Sequence, residues 1–240
     1  MPGEATSSGF RGAARFVGVD FTTELGENER MDRRLVWFVA LLVPVLAWSW
    51  IHPHDRFTWW LEVLPVVIGV PLVVAFHRRF PLSTLLLVLI WCHCVILIVG
   101  GHYTYARVPL GDWAREWFGW SRNHYDKLGH FAQGFVPAIL ARELLVRTSP
   151  LKASRWLGFL VVCVCLAFSA CYELIEWLTA IASGAAAEDF LGTQGDPWDT
   201  QTDMAMALVG AVCALVALSR WHDRSIARVL VRARKNETAP

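Results

Sequence analysis

The chain has 240 residues, of which 55% are hydrophobic, only 18% are charged and 13 are tryptophan. A soluble domain is usually about a quarter charged. The apolar residues here also come in blocks, which excludes a disordered chain and a soluble nucleic-acid-binding protein. The charges nearly balance, with 22 Lys and Arg against 21 Asp and Glu, so the net charge points to no partner. We therefore expect an all-α, multi-pass membrane protein in contact with membrane lipids.

Polar segments precede and follow the apolar blocks. Residues 1–34 are mixed in charge and lack a signal-peptide pattern, which predicts a flexible cytoplasmic tail. Met31 stands just before the first block, and we hypothesise that translation starts there. Residues 220–240 are rich in arginine and predict a basic cytoplasmic tail held by anionic lipid.

Six apolar blocks are long enough, or nearly so, to cross a hydrocarbon core of about 30 Å. They predict a six-span helix bundle over residues 35–219. Gly134 and Ala138 lie four residues apart in the fourth block, a spacing that favours close packing of two helices. The predicted spans are 35–51, 59–76, 81–100, 127–145, 157–182 and 203–219.

The distribution of basic residues predicts the orientation. If the N-terminus is inside, fifteen Lys and Arg near the spans fall on the inner side and five on the outer side. Loops on the cytoplasmic side carry the excess of basic residues. Both termini are therefore predicted to be cytoplasmic, and the loop over residues 183–202, which has no basic residue, to be external.

A polar segment that is too hydrophilic to cross the membrane separates the third and fourth spans. Within it, Trp113, Trp117 and Trp120 are spaced i, i+4 and i+7, which would place three indoles on one face of a short helix. This pattern is typical of a helix that lies in the membrane interface. A lid or a lipid-binding platform is the alternative.

Ionisable residues are costly inside a membrane and cluster at the outer ends of three spans. The topology brings these residues to one depth, near Glu62 and His93, and predicts an outward-facing polar pocket. On the inner side we expect mainly Arg and Lys that extend to the headgroups from helix ends. The pocket candidates are His124, Asp126, His130 and Gln133 on the fourth span, Tyr172, Glu173 and Glu176 on the fifth, and Asp196, Asp199 and Asp203 before and within the sixth.

Carboxylates packed together cannot all ionise without help. A divalent metal, protonation or a neighbouring base such as Lys127 would each resolve this. Oxygen ligands with an imidazole suit Mg²⁺, Mn²⁺ or Zn²⁺. The candidate metal ligands are Asp126, His130, Glu173, Glu176 and Asp203.

If the protein is an enzyme, we expect a metal-assisted hydrolase or transferase. His130, Glu173 and Glu176 are then the candidate catalytic residues, one of them acting as general base toward a metal-activated water.

Several candidates also have a purely structural explanation. Asp196 before a proline is typical of a helix N-cap, and Asp199 in a first helical turn is favoured by the helix dipole. Asp126 and Lys127 could form an interfacial charge pair. Glu173 and Glu176 are one turn apart with no adjacent base, and for them function is favoured.

Three motifs resemble the YjdF family of bacterial inner-membrane proteins. They occupy residues 124–135, 172–177 and 190–204, and the likeness extends over residues 35–217. It implies a multi-pass protein of the bacterial inner membrane and no particular reaction.

A weaker likeness is to VanZ-like membrane proteins and implies a role in the cell envelope. Ala207 stands where that family has Asn, and Glu176 where Gln is usual. The matching residues are Asp126, Lys127, His130, Phe131, Glu173, Asp203 and Gly210.

Three functions remain open from the sequence. The first is an outward-facing site for a polar or phosphorylated cell-envelope ligand together with a divalent metal. The second is a proton- or cation-coupled transporter that uses Glu173 and Glu176. The third is a structural membrane protein in which the polar cluster only holds helices together.

Overall fold

A computed structural model describes residues 32–184, 188–191 and 193–237, and these are helical with no β-strand. The predictions on residues 1–31 lie outside this part of the chain. Short 3₁₀ turns follow α3 and α5. The helices are α1 (Arg33–Trp50), α2 (Arg56–Phe76), α3 (Thr84–Tyr103), α4 (Pro109–Phe118), α5 (Tyr125–Thr148), α6 (Trp156–Ser183), α7 (Glu188–Leu191) and α8 (Asp199–Glu237).

The first three helices begin at polar capping residues placed between apolar blocks. The side chains of Asp32, Asp55 and Ser83 each accept a hydrogen bond from a backbone N–H two or three residues later, at 2.9, 2.7 and 3.3 Å. Each such cap contributes about 1 kcal/mol to helix stability. The caps therefore define helix starts that hydropathy alone locates only to within a few residues.

The long helices alternate in direction. At one end, which we call the α4 end, the backbone N–H of His54 donates to the carbonyl of His102 at 2.8 Å. At the opposite end, the backbone N–H of Leu85 donates to Ser225 Oγ at 3.2 Å. Helices α2, α5 and α8 start at the α4 end, whereas α1, α3 and α6 start at the opposite end.

Five of the described helices, α1, α2, α3, α6 and α8, are long and apolar enough to cross a membrane. The predicted fourth span corresponds to α5, which does not meet that standard of hydropathy because it contains Asp126, Lys127, Arg142, Glu143 and Arg147. Its 24 residues would extend about 36 Å. Helix α5 packs against α3, α6 and most extensively α8, so neighbouring helices surround its polar groups.

Two glycines bring the backbones of α5 and α8 into close contact. A Cβ atom at Gly134 would lie 1.8 Å from the carbonyl oxygen of Ala207, and one at Gly210 would lie 2.1 Å from that of Phe131. Ala138 is also fully buried, as expected from the spacing of Gly134 and Ala138. Only glycine permits this approach.

Helix α4 is shorter than the tryptophan spacing predicted. Pro109 occupies its first position, and Gly119, with a φ of 67°, ends it in the left-handed conformation. Trp120 therefore lies beyond the helix and stacks on Phe118, with 4.9 Å between ring centroids. The exposed indoles on the helix itself are Trp113 and Trp117, the latter 88% exposed.

Helix α8 continues to Glu237, well past the predicted end of the sixth span at residue 219. The apolar block stops there, but arginine and alanine still favour a helix. One side of this extension is buried at His222, Ile226 and Val229. Residues 220–237 are thus a continuation of the helix, and hydropathy alone could not reveal it.

Replacing Gly134 or Gly210 by alanine is expected to destabilise the protein by about 1–3 kcal/mol, because the new methyl group meets backbone that cannot move aside. Thermal unfolding in mild detergent measures this. Gly69→Ala and Gly158→Ala are matched controls, since a Cβ there has nothing within 4 Å. Equal melting temperatures for all four variants would contradict the close contact.

Candidate cation-binding site

A group of three side chains joins the starts of α5 and α8. Asp126 and His130 are one turn apart on α5, and His130 Nε2 lies 3.4 Å from Asp126 Oδ1 and 3.8 Å from Asp203 Oδ1 on α8. One ligand atom from each residue lies within 4.8 Å of the others. His130 and Asp203 are buried. After small shifts of these side chains, a cation placed between them would therefore have three protein ligands.

Glu173 on α6 lies next to the imidazole of His130. Its Oε1 lies 3.7 Å from His130 Nδ1, and this buried atom has no hydrogen-bond partner in the described part of the chain. A buried carboxylate oxygen without a partner is costly. We refer to Asp126, His130, Glu173 and Asp203 together as the His130 cluster.

Lys127 supplies the main positive charge beside this cluster. Its Nζ lies 2.6 Å from Asp203 Oδ1 and 2.7 Å from Asp199 Oδ1, but 3.6 Å from Asp126 Oδ2. The charge pair anticipated between Asp126 and Lys127 is thus the weakest of the three contacts. Because Lys127 bridges two turns of α8, it fixes the start of α8 against α5.

Asp196 and Asp199 are engaged by Arg122. The guanidinium Nη2 lies 3.1 Å from Asp196 Oδ2 and 2.8 Å from Asp199 Oδ1. Asp196 also accepts a hydrogen bond from the backbone of Trp198 at 2.9 Å, although α8 begins only at Asp199 and not at the proline. Neither carboxylate belongs to the group of ligand atoms formed by Asp126, His130 and Asp203.

A cavity of about 50 Å³ lies beside His130, on the side away from α8. This is room for a few water molecules. Three carboxylates face it, and the described lining contains no Lys or Arg. The lining residues are Glu62, Pro65, His93, Leu97, Tyr105, Asp126, Gly129, His130, Gln133, Phe168, Tyr172 and Glu176.

The structure divides the predicted pocket residues between the cluster and the cavity. Glu176 and Tyr172 line the cavity without joining the Asp126–His130–Asp203 group. Gln133 lines the cavity and contacts His130 Nδ1 through its Oε1 at 3.1 Å. The sequence reasoning treated Glu173 and Glu176 as one unit, but Glu173 lies 3.7 Å from His130 whereas Glu176 lines the cavity.

His124 is absent from the cavity lining and instead packs edge-on against Trp120, with 5.1 Å between ring centroids. Burial lowers the pKa of His124, and the positive charges of Arg122 and Lys127 lower it further. At neutral pH this imidazole is therefore uncharged.

Tyr105 lines the cavity and was not anticipated. The residue is 6% exposed, and its ring fits between two glycines, since a Cβ at Gly100 or Gly129 would lie 2.4 or 2.8 Å from ring atoms. Burial raises the pKa of Tyr105, and the charge of Glu62 raises it further. The phenol therefore stays protonated. The glycines that accommodate the ring lie on α3 and α5, and the sequence could point to Tyr105 only if these two helices were known to be neighbours.

A second buried polar cluster, centred on Glu143, lies at the opposite end. Glu143 is fully buried and accepts hydrogen bonds at 2.9 Å from the Ser83 backbone, Arg147 and His222. Arg142 donates to His222 Nδ1 at 3.1 Å, so Nε2 carries the proton that His222 donates. The sequence reasoning expected mainly Arg and Lys extending to the headgroups on this side and did not anticipate this buried cluster.

Two comparisons place the chain among known proteins. The sequence model of a family described as "Predicted membrane protein (DUF2238)" matches residues 34–224. The chain is 54% identical over 187 residues to the inner membrane protein YjdF of Escherichia coli strain K12, covering 78% of this chain and 90% of that protein. No solved structure matches the chain. The YjdF resemblance is confirmed, whereas the VanZ-like resemblance stays a prediction.

Lys127→Met is expected to lower the free energy of unfolding by about 3–5 kcal/mol, because it leaves buried carboxylates without their counter-charge. The measurement is made with a metal chelator present, so that no bound cation replaces the lysine. Chemical denaturation in detergent measures the change. Arg115→Met is the control, since the half-exposed pair of Arg115 with Asp112, at 3.3 Å, should contribute at most about 1 kcal/mol. A Lys127 variant as stable as the control would contradict the bridging role.

Proposed function

The chain belongs to the DUF2238 family of predicted membrane proteins, and on this premise we propose that it is a six-span inner-membrane protein whose His130 cluster binds a divalent cation. The relative from E. coli is named an inner membrane protein. Helix α5, the predicted fourth span, completes the six: it is long enough to cross, and its ionisable residues face other helices and not lipid, as such residues do in membranes.

The α4 end faces the outside in this proposal, and both termini are cytoplasmic. The excess of basic residues at the opposite end supports this orientation. Helix α4 would lie in the interface on the outer face of the inner membrane, where indole rings are favoured. The exposure of Trp113 and Trp117 supports that placement.

The observation that carries the cation site is the convergence of Asp126, His130 and Asp203, with ligand atoms within 4.8 Å of one another. Metal–ligand distances of about 2.0–2.2 Å require ligand atoms somewhat closer than this. Small side-chain rotations suffice for that. Lys127 would then release Asp203 while keeping Asp199. Two carboxylates and an imidazole suit Mg²⁺, Mn²⁺ or Zn²⁺.

The unpartnered oxygen of Glu173 argues against a purely structural role. A cluster that only held helices together would be expected to satisfy its buried polar atoms, as the Glu143 cluster does. Glu173 Oε1 instead lacks a hydrogen-bond partner in the described residues. A bound cation, directly or through its water, would supply one.

Transport is the less supported alternative. Between Gln133 and Glu143, over about 15 Å of α5, Gly134 packs against Ala207 of α8, and Ala138 belongs to the same buried apolar cluster as Ala211 of α8. These small apolar residues offer no ligand for a moving ion. The polar clusters at the two ends are thus separated by close packing.

With the cation bound, its open coordination positions would hold a polar or phosphorylated cell-envelope ligand. If the protein is an enzyme, it is a hydrolase or transferase that acts on an envelope lipid or its precursor. Glu173 or Glu176, which are outside the group of metal ligands, would then take the proton from the attacking group.

Purified protein in mild detergent is expected to bind about one Mn²⁺ or Zn²⁺ per chain, and Asp126→Asn or Asp203→Asn to weaken binding at least tenfold, because each loses a charged ligand. Calorimetric titration measures the affinity, and metal analysis after dialysis measures the content. Asp112→Asn on α4 is the matched control. Variants that bind as tightly as wild type, or a wild type that binds nothing, would refute the site.

Labelling with a membrane-impermeant maleimide tests the orientation. In intact spheroplasts, Trp117→Cys is expected to react, because α4 faces outward. Arg228→Cys is expected to react only after permeabilisation. The unmodified chain, with its six cysteines in apolar helices, gives the background. The reverse labelling pattern would overturn the orientation.

A further inference from the structure

The charge of the cavity differs from that of the cluster beside it. Glu62 on α2, Asp126 on α5 and Glu176 on α6 face the cavity, and its described lining has no basic side chain except the imidazoles of His93 and His130. Lys127 does not line the cavity; its Nζ contacts Asp199 and Asp203 on α8 at 2.7 and 2.6 Å and lies 3.6 Å from Asp126. The space is therefore complementary to a positive charge.

Two of the helices that line the cavity, α2 and α6, have no long helix packed between them among the described residues. Pro65 and Glu62 belong to α2, while Phe168 and Glu176 belong to α6. These two helices pack against α3 and α5 respectively, and in the described part of the chain they share no extensive interface. The cavity is thus bordered on one side by the gap between α2 and α6, which faces lipid in the proposed placement.

The α4 end of this gap is bridged by α7. This short helix contacts α2, α6 and the turn that carries Tyr105, and its Phe190 is 5% exposed. A ligand arriving from the water would meet this bridge. A ligand arriving from the bilayer would meet Phe168, which is 54% exposed, and then the carboxylates.

We propose that the cavity binds the primary ammonium head group of a membrane lipid, such as a phosphatidylethanolamine, that enters sideways between α2 and α6. This inference deepens the proposed function, and it rests on the membrane placement of α5 but not on the metal. An ammonium has three N–H donors, which matches the three carboxylates of Glu62, Asp126 and Glu176. The lipid chains lie along exposed apolar residues such as Ile68 and Phe168.

The same features predict selectivity among head groups. A trimethylammonium group has no N–H to donate to the three carboxylates. A glycerol head group brings no positive charge, and its lipid carries net negative charge toward three carboxylates. Primary amines should therefore bind best.

The test uses short-chain lipids and the purified full chain in detergent with a chelator present. Calorimetric titration is expected to give at least tenfold tighter binding for dihexanoyl-phosphatidylethanolamine than for the phosphatidylcholine and phosphatidylglycerol analogues. Glu62→Gln and Glu176→Gln should each weaken that binding at least tenfold. Glu116→Gln, an exposed carboxylate on α4, is the matched control.

A second measurement needs no variant, in case the glutamate variants fail to fold. Free ethanolamine should displace the bound lipid from wild-type protein, and choline should not. Equal affinity for the choline lipid, tighter binding of the glycerol lipid, or no displacement by ethanolamine would overturn the proposal. Because chelator is present, loss of the metal site alone leaves these results unchanged, and maleimide labelling reports separately on the membrane placement.

Discussion

The architecture depends on the contact between the backbones of α5 and α8. At Gly134 and Gly210 the two helices approach more closely than any side chain would permit. This close approach of the two backbones places the first turns of both helices side by side, so that Lys127 and His130 reach Asp203. It also aligns Glu143 with His222 farther along. The pair of α5 and α8 thus carries most members of both buried polar clusters.

The two clusters differ in how their buried carboxylates are neutralised and hydrogen-bonded. Around Glu143, every acceptor has a donor, because Ser83, Arg147 and His222 converge on one carboxylate. Around His130, carboxylates outnumber the nearby cations, and the oxygen of Glu173 has no donor in the described residues. The first arrangement is complete by itself, whereas the second has capacity for an additional positive charge. This contrast is the main physical reason to expect a ligand at only one end.

Hydropathy predicted the apolar helices well, since α1, α2, α3, α6 and α8 correspond to predicted spans. The shared depth of acidic residues on three spans also led to the grouping of Asp126, His130 and Asp203. What the sequence could not supply was which helices are neighbours. Glu143 and His222 are 79 residues apart, and no local pattern connects them. Tyr105 was missed for the same reason.

The continuity of α8 has a mechanical consequence. One uninterrupted helix runs from Asp203, in the His130 cluster, to Arg232, a distance of about 44 Å. A rigid rod of that length converts a tilt of about 10° at the cluster into a displacement of roughly 7–8 Å at its far end. Since Glu143 ties α8 to α5 through His222 between those points, both helices would swing together. Binding of a ligand at the His130 cluster would thereby change the position of the far end of α8.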